Sequence, residues 1–461
     1  MSGAGTTSAR DEQGVHVRSR FRLVLHGIFW ILVYIILSIA PLFVLLIGPR
    51  LPGREFWREF SVALGFAGLA MVTLQFVLTA RFKVVKAPYG SDIVYYFHRQ
   101  ISLVSFALVL AHPLLLFAFD PRTLRLLNLL AAPWRARAGV VALAALAALI
   151  VTSVWRKQLR IDYTPWRIWH GILATAAVSL ALAHIVLVGH YVNTPWKRIL
   201  WVGYGLFWVG LLAYVRVIKP ILLLRRPYAV DQVIQQRGDA WTLAVVPVGH
   251  RGLTFMPGQF AWLTAWHSPF SDTEHPFSFS SSAMDRSRLE FTIKALGDFT
   301  GTVKEMKPGQ QVYVDGPFGA FSIDRHPHAE SYVFVAGGIG ITPIMSMLRT
   351  LADRGDRRPL TLLYANRTWE GVTFRQEIAE LEQRLNLKVV YVLSAPHESW
   401  EGERGRITSS LLERHLPRLQ RRDSQEVFIC GPKPMMDAVE SALASLGVPV
   451  GDFHSERFDL V

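Results

Sequence analysis

The sequence predicts a multidomain membrane protein in which a six-helix transmembrane bundle precedes an antiparallel β-barrel and an α/β domain. Three observations support this fold class. Long apolar runs fill the first half of the 461 residues, short alternating runs with Pro-Gly turns follow, and strand-to-helix alternation continues towards the C-terminus. We therefore expect four segments: a mobile tail at 1–20, the bundle at 21–220, the barrel at 225–327 and the α/β domain at 328–461.

Charge separates the two halves of the chain. Residues 1–226 carry 25 Lys and Arg against 7 Asp and Glu, whereas residues 227–461 carry 24 against 28. Basic residues that flank apolar runs are typical of membrane proteins, so this excess does not predict nucleic-acid binding. Because Cys430 is the single cysteine of the sequence, an intrachain disulfide, a four-cysteine metal site and a covalent Cys-x-x-Cys-His haem attachment are excluded.

Six stretches approach the roughly 20 apolar residues that a membrane-spanning helix needs. They lie at about 24–47, 59–80, 93–119, 139–155, 165–190 and 198–218. No signal-peptidase-like site follows the first stretch, so we expect it to be retained. The distribution of basic residues among the loops predicts cytoplasmic N- and C-termini in the plasma (inner) membrane, although Arg122, Arg125, Arg135 and Arg137 in one loop oppose this bias.

After a connector predicted at Lys219–Tyr228, the second half shows two successive patterns. Alternating runs such as Trp241–Val246 and Leu289–Ile293, separated by turns, predict the antiparallel barrel. The elements predicted next are a strand at 332–336, a helix ending at Leu351, a strand at 360–365, a helix at 374–385, and strands at 388–393 and 427–430. Alternation of this kind predicts a parallel sheet.

Four histidines fall inside the predicted membrane helices. His98 and His112 lie on the third helix and His170 and His184 on the fifth, each pair 14 residues apart. Fourteen residues span about 21 Å and nearly four turns, so both histidines of a helix face the same way. Because the two helices run in the same direction, His98 can face His170 and His112 can face His184. Such pairs can ligate two b-type haems, one near each membrane surface.

The alternative for these histidines is hydrogen bonding between helices or a proton relay. His26 and His190 have no matching partner and are predicted to lie at helix ends. Arg99 and Arg167 adjoin the inner pair, where they either offset haem propionate charge or act as ordinary basic anchors. Since both axial positions of each iron would be filled, an outer acceptor would take its electron from the haem edge.

Several motifs in the second half suit a flavin and a nucleotide. In the segment 275–278 an aromatic ring stands beside a hydroxyl, which suits an isoalloxazine, and residues 297–300 can present N–H groups and a hydroxyl to a pyrophosphate. The glycines at 337–340 directly follow a strand and open a helix, where a phosphate can approach backbone N–H groups. Each motif alone is also compatible with a structural turn, and Cys430 with a buried apolar thiol.

Together the motifs resemble a known module. His-Pro-Phe-Ser at 275–278, Gly-Asp-Phe-Thr at 297–300, Gly-Gly-Ile-Gly-Ile-Thr-Pro at 337–343 and Cys-Gly-Pro-x-x-Met at 430–435 follow the order of the ferredoxin–NADP reductase-like module. Behind a six-helix domain with paired histidines, the chain from about residue 20 resembles the NADPH oxidase and ferric reductase superfamily in a compact bacterial form. The resemblance implies FAD, two b-type haems and NADPH, with NADH as the alternative nucleotide.

The resemblance also implies a role for each matching residue. The haem iron ligands would be His98, His112, His170 and His184. The residues implied for FAD and nucleotide binding are His275, Pro276, Phe277, Ser278, Lys294, Gly297, Thr300, Gly337, Gly338, Gly340, Ile341, Thr342, Pro343, Arg367, Gly431 and Pro432. Ser278 would lie near flavin N5, Cys430 near the nicotinamide, and Phe458 over the flavin until nicotinamide displaces it. Arg367 would contact a 2′-phosphate, the alternative being a solvated loop charge.

The predicted function is electron transfer from cytosolic NADPH through FAD and two haems to an extracytoplasmic acceptor. Dioxygen is the first choice of acceptor, with superoxide as the product. The segment Pro113–Phe117 is apolar where oxidases of the superfamily tend to offer a polar residue, so a ferric-chelate or metal reductase with the same electron path is the alternative. A transporter or proton channel without haem, carrying a nucleotide-sensing domain, is the third hypothesis. The expected partners are NAD(P)H, the acceptor and the lipid bilayer, with no obligate protein partner evident.

Overall fold

The computed structural model describes residues 25, 27–44, 47, 54–81, 91–271, 273–416 and 425–458. The tail predicted at 1–20 and His26 lie outside the described residues. The chain divides into two compact units, a helical one formed by Met1–Pro88 and Ile93–Lys219 and a sheet-containing one formed by Tyr89–Asp92 and Pro220–Val461.

Six helices of the described chain are long and apolar enough to cross a membrane. They are α1 (Gly27–Val44), α2 (Phe56–Thr79), α3 (Ser91–Phe119), α4 (Trp134–Val154), α5 (Tyr163–Val188) and α6 (Pro195–Ala213), the last of which continues through a π-helical turn into α7 (Lys219–Leu224). The prediction of a six-helix, multi-pass membrane protein is confirmed.

Two predicted boundaries in the helical unit are wrong. The fourth helix begins at Trp134 rather than near 139, because Pro133 stands at its N-cap and Pro is favoured at a helix start. The expected connector after Lys219 is helical as far as Leu224. Pro220 has no N–H to offer the carbonyl group one turn earlier, and the widened π-helical turn at Tyr214–Ile218 lies just there.

The first part of the second unit is a six-stranded antiparallel sheet. Its strands are β1 (Tyr228–Gln236), β2 (Ala240–Pro247), β3 (Phe260–Thr264), β4 (His275–Ser278), β5 (Leu289–Lys294) and β6 (Gln311–Phe318), in the order β4-β3-β6-β1-β2-β5. A single bridge between Phe279 and Phe291 joins the two edges of this sheet. The short helix α8 (Asp298–Thr302) follows β5. The inward side chains, among them Leu243, Phe279 and Phe291, are fully buried.

The second part is a six-stranded parallel sheet with helices. Its strands are β7 (Ser331–Gly337), β8 (Leu360–Asn366), β9 (Leu387–Leu393), β10 (Glu403–Arg404), β11 (Gln425–Cys430) and β12 (Phe453–Ser455), in the order β10-β9-β8-β7-β11-β12. The helices are α9 (Ile341–Asp353), α10 (Arg375–Arg384), α11 (Ser409–His415) and α12 (Lys433–Ser445). The strand order reverses between β7 and β11, and ligands of open α/β sheets bind at such a switch point, beyond the carboxyl ends of the strands. The predicted parallel α/β sheet is confirmed.

Helix α9 attaches the parallel sheet to the antiparallel one. Three hydroxyl side chains spaced by four residues, Thr342, Ser346 and Thr350, stand on one face of this helix. Their hydrogen-bond partners are the carbonyl oxygens of Thr292 and Ser281 and the N–H of Ala283, at 3.2, 2.7 and 2.9 Å. These bonds hold the first turn of α9, and the glycines before it, against the antiparallel sheet.

Candidate functional site

The four histidines of the helical unit form two facing pairs. His98 and His112 lie on α3, and His170 and His184 lie on α5. The ring centroids of His98 and His170 are 6.4 Å apart. His112 and His184 are likewise neighbours between α3 and α5. The structure therefore brings together the residues that the fourteen-residue spacing paired.

Each of these histidines has its Nδ1 atom at hydrogen-bond distance from a neighbouring helix. The partners are Gln75 Oε1 for His98 (3.0 Å), Ser61 O and Oγ for His112 (3.0 and 2.9 Å), Ser153 Oγ for His170 (3.2 Å) and the carbonyl oxygen of Arg135 for His184 (2.6 Å). Helix α2 thus serves both histidines of α3, and helix α4 serves both histidines of α5.

The chemistry of these partners fixes the position of the ring proton. A backbone carbonyl only accepts, so Nδ1 of His184 carries the hydrogen. The Ser153 hydroxyl donates to the carbonyl oxygen of Leu149, which leaves its oxygen to accept from His170. The amide N–H₂ of Gln75 donates elsewhere, so its oxygen accepts from His98. In each case Nε2 keeps its lone pair, which is the protonation state of a metal-binding imidazole.

The spacing of the inner pair fits a planar iron porphyrin. Two metal–imidazole bonds of about 2.0–2.1 Å and two distances of about 1.1 Å from ring nitrogen to ring centre add up to about 6.3 Å. The observed 6.4 Å between the His98 and His170 centroids matches this sum. With Nδ1 held by an acceptor from a second helix, each ring presents Nε2 as metal-binding histidines do.

Two glycines that sequence reasoning missed make room for the outer pair. A Cβ at Gly65 of α2 would lie 3.2 Å from the His112 ring, and a Cβ at Gly139 of α4 would lie 2.9 Å from Nδ1 of His184. Gly65 follows Ser61 by four residues, and Gly139 follows Arg135 by four, so each glycine stands one turn from the group that holds the ring. Ser61 and Gln75 are buried polar residues in a largely apolar helix, a signal visible in the sequence.

In the second unit, the two glycine turns at the switch point contact each other directly. Strands β7 and β11 pair in parallel so that Ala336 lies opposite Cys430. A Cβ at Gly431 would lie 3.0 Å from Cα of Gly337, and a Cβ at Gly340 would overlap the Cys430 carbonyl and lie 2.7 Å from Cα of Gly431. Only glycine permits this approach.

The remaining residues of the turn 337–343 divide into two groups. Gly338 has a left-handed φ of +52°, and no described atom lies within 4 Å of its Cβ position, so its backbone is open to a ligand. Ile341, Thr342 and Pro343 are buried in the first turn of α9. Their place in the interior shows a packing role, and Thr342 also holds α9 to β5.

Tyr364 of β8 is a further residue that the sequence analysis missed. It is fully buried, and its hydroxyl donates to the carbonyl oxygen of Gly338 at 3.1 Å. Burial raises the pKa of this phenol, so it stays protonated and remains a donor. Cys430 is also buried, with 1% of its surface exposed, and packs in the hydrophobic core between β7, β11 and α9.

The segment His275–Ser278 forms β4, at an edge of the antiparallel sheet. The rings of His275 and Phe277 stack on Phe299 of α8, with centroids 4.1 and 5.8 Å apart. Pro276 pairs with Trp262 in the ladder, and Ser278 is 7% exposed. The structure thus brings the two flavin motifs predicted from the sequence together through Phe299.

At the start of α8, Thr300 holds the preceding chain. Its hydroxyl accepts hydrogen bonds from the N–H groups of Leu296 and Gly297, at 2.9 and 2.8 Å. No described atom lies within 4 Å of a Cβ at Gly297, so the backbone there is open to an approaching group. Lys294 ends β5 opposite Ala240.

Phe458 lies beside the same strand pair as Ser278. Its ring meets Phe260 edge-on, with centroids 6.2 Å apart, and Phe260 is the register partner of Ser278. The side chain of Phe458 is 37% exposed. Arg367 is exposed just beyond β8, the strand next to β7, at the carboxyl edge of the parallel sheet.

Comparisons with known proteins identify both halves of the chain. Residues 64–181 match the family described as ferric reductase like transmembrane component, and residues 334–441 match the oxidoreductase NAD-binding domain. The chain thus combines a segment similar to the ferric reductase like transmembrane component with an oxidoreductase NAD-binding domain. The resemblance predicted from the sequence is confirmed. The prediction that the protein is an oxidoreductase is confirmed as well. A ferric reductase-like membrane component and a nucleotide-binding component are here joined in one polypeptide.

Several curated relatives of this chain are reductase subunits or components. It is 33% identical over 210 residues to the stachydrine N-demethylase reductase subunit of Rhizobium meliloti, covering 44% of this chain and 58% of the relative. It is 31% identical over 229 residues to the propane 2-monooxygenase reductase component of Rhodococcus jostii, covering 48% and 60%. The chain therefore spans about three fifths of these relatives. A solved structure, the ferredoxin reductase in carbazole 1,9a-dioxygenase, is 25% identical over 50% of this chain and 69% of its own, with a TM-score of 0.44.

Proposed function

We propose that this protein is a transmembrane NADPH-dependent oxidoreductase that uses FAD and two b-type haems to pass electrons to dioxygen on the extracytoplasmic face, with superoxide as the product. FAD exchanges electron pairs with NADPH and single electrons with haem, which is the chemistry these groups supply when bound. The observation that carries the proposal is the arrangement of the four histidines, each with Nδ1 held by a second helix.

In this proposal the histidines hold two haems at different depths. His98 and His170 hold the inner one, as their 6.4 Å ring separation supports, and His112 and His184 hold the outer one. A hydrogen-bonding or relay role alone would not require four Nδ1 bonds that all leave Nε2 with its lone pair. The acceptors on α2 and α4 fix the tautomer and orient each ring, and such bonds also raise the basicity of a ligand.

The residues of the second unit bind and position the nucleotide and the flavin. The open backbone at Gly338 receives the phosphates of NADPH at the N-terminal end of α9, and Tyr364 holds this turn in place. His275 to Ser278 and Lys294, Gly297 and Thr300 bind FAD, whose ring lies near Ser278 and is covered by Phe458. Arg367, at the carboxyl edge of β8, contacts the 2′-phosphate and favours NADPH over NADH.

The distribution of charge supports an orientation with both termini in the cytoplasm. Basic residues lie after α2, between α4 and α5, and after α7. If successive helices cross the membrane in opposite directions, all three places are on the same side. These residues are Arg81, Arg156, Lys157, Arg160, Arg225 and Arg226. The second unit is then cytoplasmic, where NADPH is available. A reporter fused at the C-terminus that fluoresces only in the cytoplasm tests this orientation in the plasma membrane.

The family match favours a ferric chelate as the second candidate acceptor, since residues 64–181 fit the ferric reductase like component. Both acceptors share the same path and differ only at the outer surface. Superoxide formation is measured as dye reduction that superoxide dismutase suppresses. Ferric-chelate reduction is measured anaerobically with a ferrous-iron indicator, so the two rates can be compared on one preparation.

The experiment that tests the haem path is an anaerobic absorbance spectrum of the detergent-purified protein with FAD, before and after NADPH. We expect b-type Soret and α bands that sharpen on reduction, and a partial loss of these bands in His112→Leu. Absence of haem bands in the folded wild-type protein contradicts the proposal and leaves a membrane-tethered flavin reductase or a nucleotide-sensing transporter.

A further inference from the structure

A cluster of three side chains lies away from the proposed haem, flavin and nucleotide residues. His326 ends the short 3-10 turn at Ile323–Arg325, Glu426 lies on β11, and His454 lies on β12. One nitrogen of each imidazole and one carboxylate oxygen all lie within 4.8 Å of one another. Neither the motifs nor the family assign a role to these residues.

The distances approach those of a metal site. Nδ1 of His326 is 3.4 Å from Oε1 of Glu426, and Nε2 of His454 is 2.7 Å from Oε2 of the same carboxylate. A tetrahedral ion with bonds of about 2.0–2.1 Å holds its ligand atoms about 3.3–3.5 Å apart. The two imidazole rings stack with centroids 4.0 Å apart, so both lie beside the same carboxylate.

The carboxylate of the cluster is more deeply buried than the two imidazoles, so a cation can reach it from the histidine side. The Glu426 side chain is 6% exposed, whereas each imidazole side chain is 22% exposed. The carboxylate charge thus sits in the interior, where a compensating positive charge is most effective, and the histidines leave a route from solvent. Phe428 forms an apolar base, with its ring 5.1 Å from His454 and 6.0 Å from His326.

The ligand types select the class of ion. Two imidazoles with one carboxylate suit zinc and neighbouring divalent transition metals, whereas Ca²⁺ and Mg²⁺ prefer ligand sets made of oxygen. We propose that His326, Glu426 and His454 bind one divalent transition-metal ion of the zinc class, with solvent completing the coordination. The ion joins the segment after β6 to the last two strands of the parallel sheet.

Such an ion would stabilise the C-terminal strand. β12 has only three residues, and its ladder to β11 runs from Val427 and Phe453 to Ile429 and Ser455. Phe458 follows His454 by four residues, so an ion at His454 anchors the strand that leads to this aromatic ring. The site is independent of the proposed electron path, because none of its three residues belongs to the haem, flavin or nucleotide sets.

Zinc binding to the full-length protein in detergent tests the proposal directly. The protein is purified without a polyhistidine tag, treated with a chelator, and equilibrated with Zn²⁺ in the presence of excess Mg²⁺. Bound zinc is then measured by elemental analysis, which separates it from haem iron. We expect one zinc per chain, and affinity at least about tenfold lower in Glu426→Gln and His454→Gln.

The matched control is His328→Gln, two residues from His326 and outside the cluster, which should bind zinc as the wild type does. Zinc-edge X-ray absorption of the wild-type protein should show imidazole scattering from two histidines, a readout that needs no variant. Substoichiometric zinc in the wild type overturns the proposal and leaves a hydrogen-bonded His–Glu–His cluster. Stoichiometric zinc that Glu426→Gln and His454→Gln both retain places the ion elsewhere and also overturns it.

Discussion

His184 donates its Nδ1–H to the carbonyl oxygen of Arg135 across 2.6 Å. Gly139 lies one turn after Arg135 on helix α4, in contact with the His184 ring. Ser61, Gly65 and His112 repeat this arrangement on the other pair of helices. Each outer histidine is thus held by an acceptor and a glycine four residues apart. The pocket for the proposed outer haem depends on both.

Gly139→Val is expected to displace the His184 ring and to remove the outer haem while the inner one remains. A Cβ at this position already lies 2.9 Å from Nδ1, and the larger side chain leaves the ring no room. Haem per chain, measured as the pyridine complex, should fall by about half. Gly210→Val is the control, because no described atom lies within 4 Å of its Cβ position. Unchanged haem content in Gly139→Val would refute this account of the pocket.

Gln75→Leu is expected to raise the midpoint potential of the inner haem. Gln75 accepts the Nδ1–H of His98, and this bond makes the imidazole a stronger donor that favours ferric iron. Without it, the affinity for the inner haem should also fall, by about tenfold or more. Thr79→Val is the matched change one turn away, since among the described residues Thr79 donates to carbonyl groups of its own helix. Redox titration of both variants measures the midpoint potential of the inner haem. The same potential in Gln75→Leu and Thr79→Val would contradict the proposed role of Gln75.

Much of the fold and part of the site were predictable because their signals are local. Six apolar runs and a fourteen-residue histidine spacing depend on single helices, and the glycine motif depends on one strand-to-helix turn. The acceptors Gln75 and Ser153 lie on different helices from their histidines, so only tertiary packing reveals the pairs. The contact of Gly340 with Cys430 likewise needs the sheet order, and β12 is too short for any periodicity.

Gly340→Ala is expected to raise the KM for NADPH. Its Cβ would overlap the Cys430 carbonyl, and relief of that overlap moves the 337–340 turn away from the 430–432 turn at a cost of about 1–3 kcal/mol. Gly301→Ala serves as the control because no described atom lies within 4 Å of its Cβ position. Steady-state dye reduction at varied NADPH measures the effect. If both variants show the wild-type KM, the close contact has no role in nucleotide binding.

Arg367→Ala is expected to reduce the preference for NADPH over NADH by about tenfold, the value of one charge-assisted hydrogen bond. The residue is exposed at the carboxyl edge of β8, where adenosine ribose contacts are made in doubly wound sheets. The kcat/KM for NADH should stay the same, since that nucleotide has no 2′-phosphate. Arg384→Ala, at the end of α10, is the charge-matched control. An unchanged ratio would assign Arg367 to the solvated loop instead.

Phe458→Ser is expected to strengthen binding of NADP⁺ and so to increase product inhibition. The Phe458 ring lies edge-on to Phe260, which pairs with Ser278, so in the proposed arrangement it lies where nicotinamide would approach the flavin. Removing the ring removes a competitor for that position, while FAD content should not change because Phe458 is not among the residues proposed to hold FAD. Phe270→Ser, another exposed aromatic of this unit, is the control. Because a merely structural role would lower FAD content and leave the inhibition constant unaltered, the two measurements together decide whether Phe458 and nicotinamide exchange places.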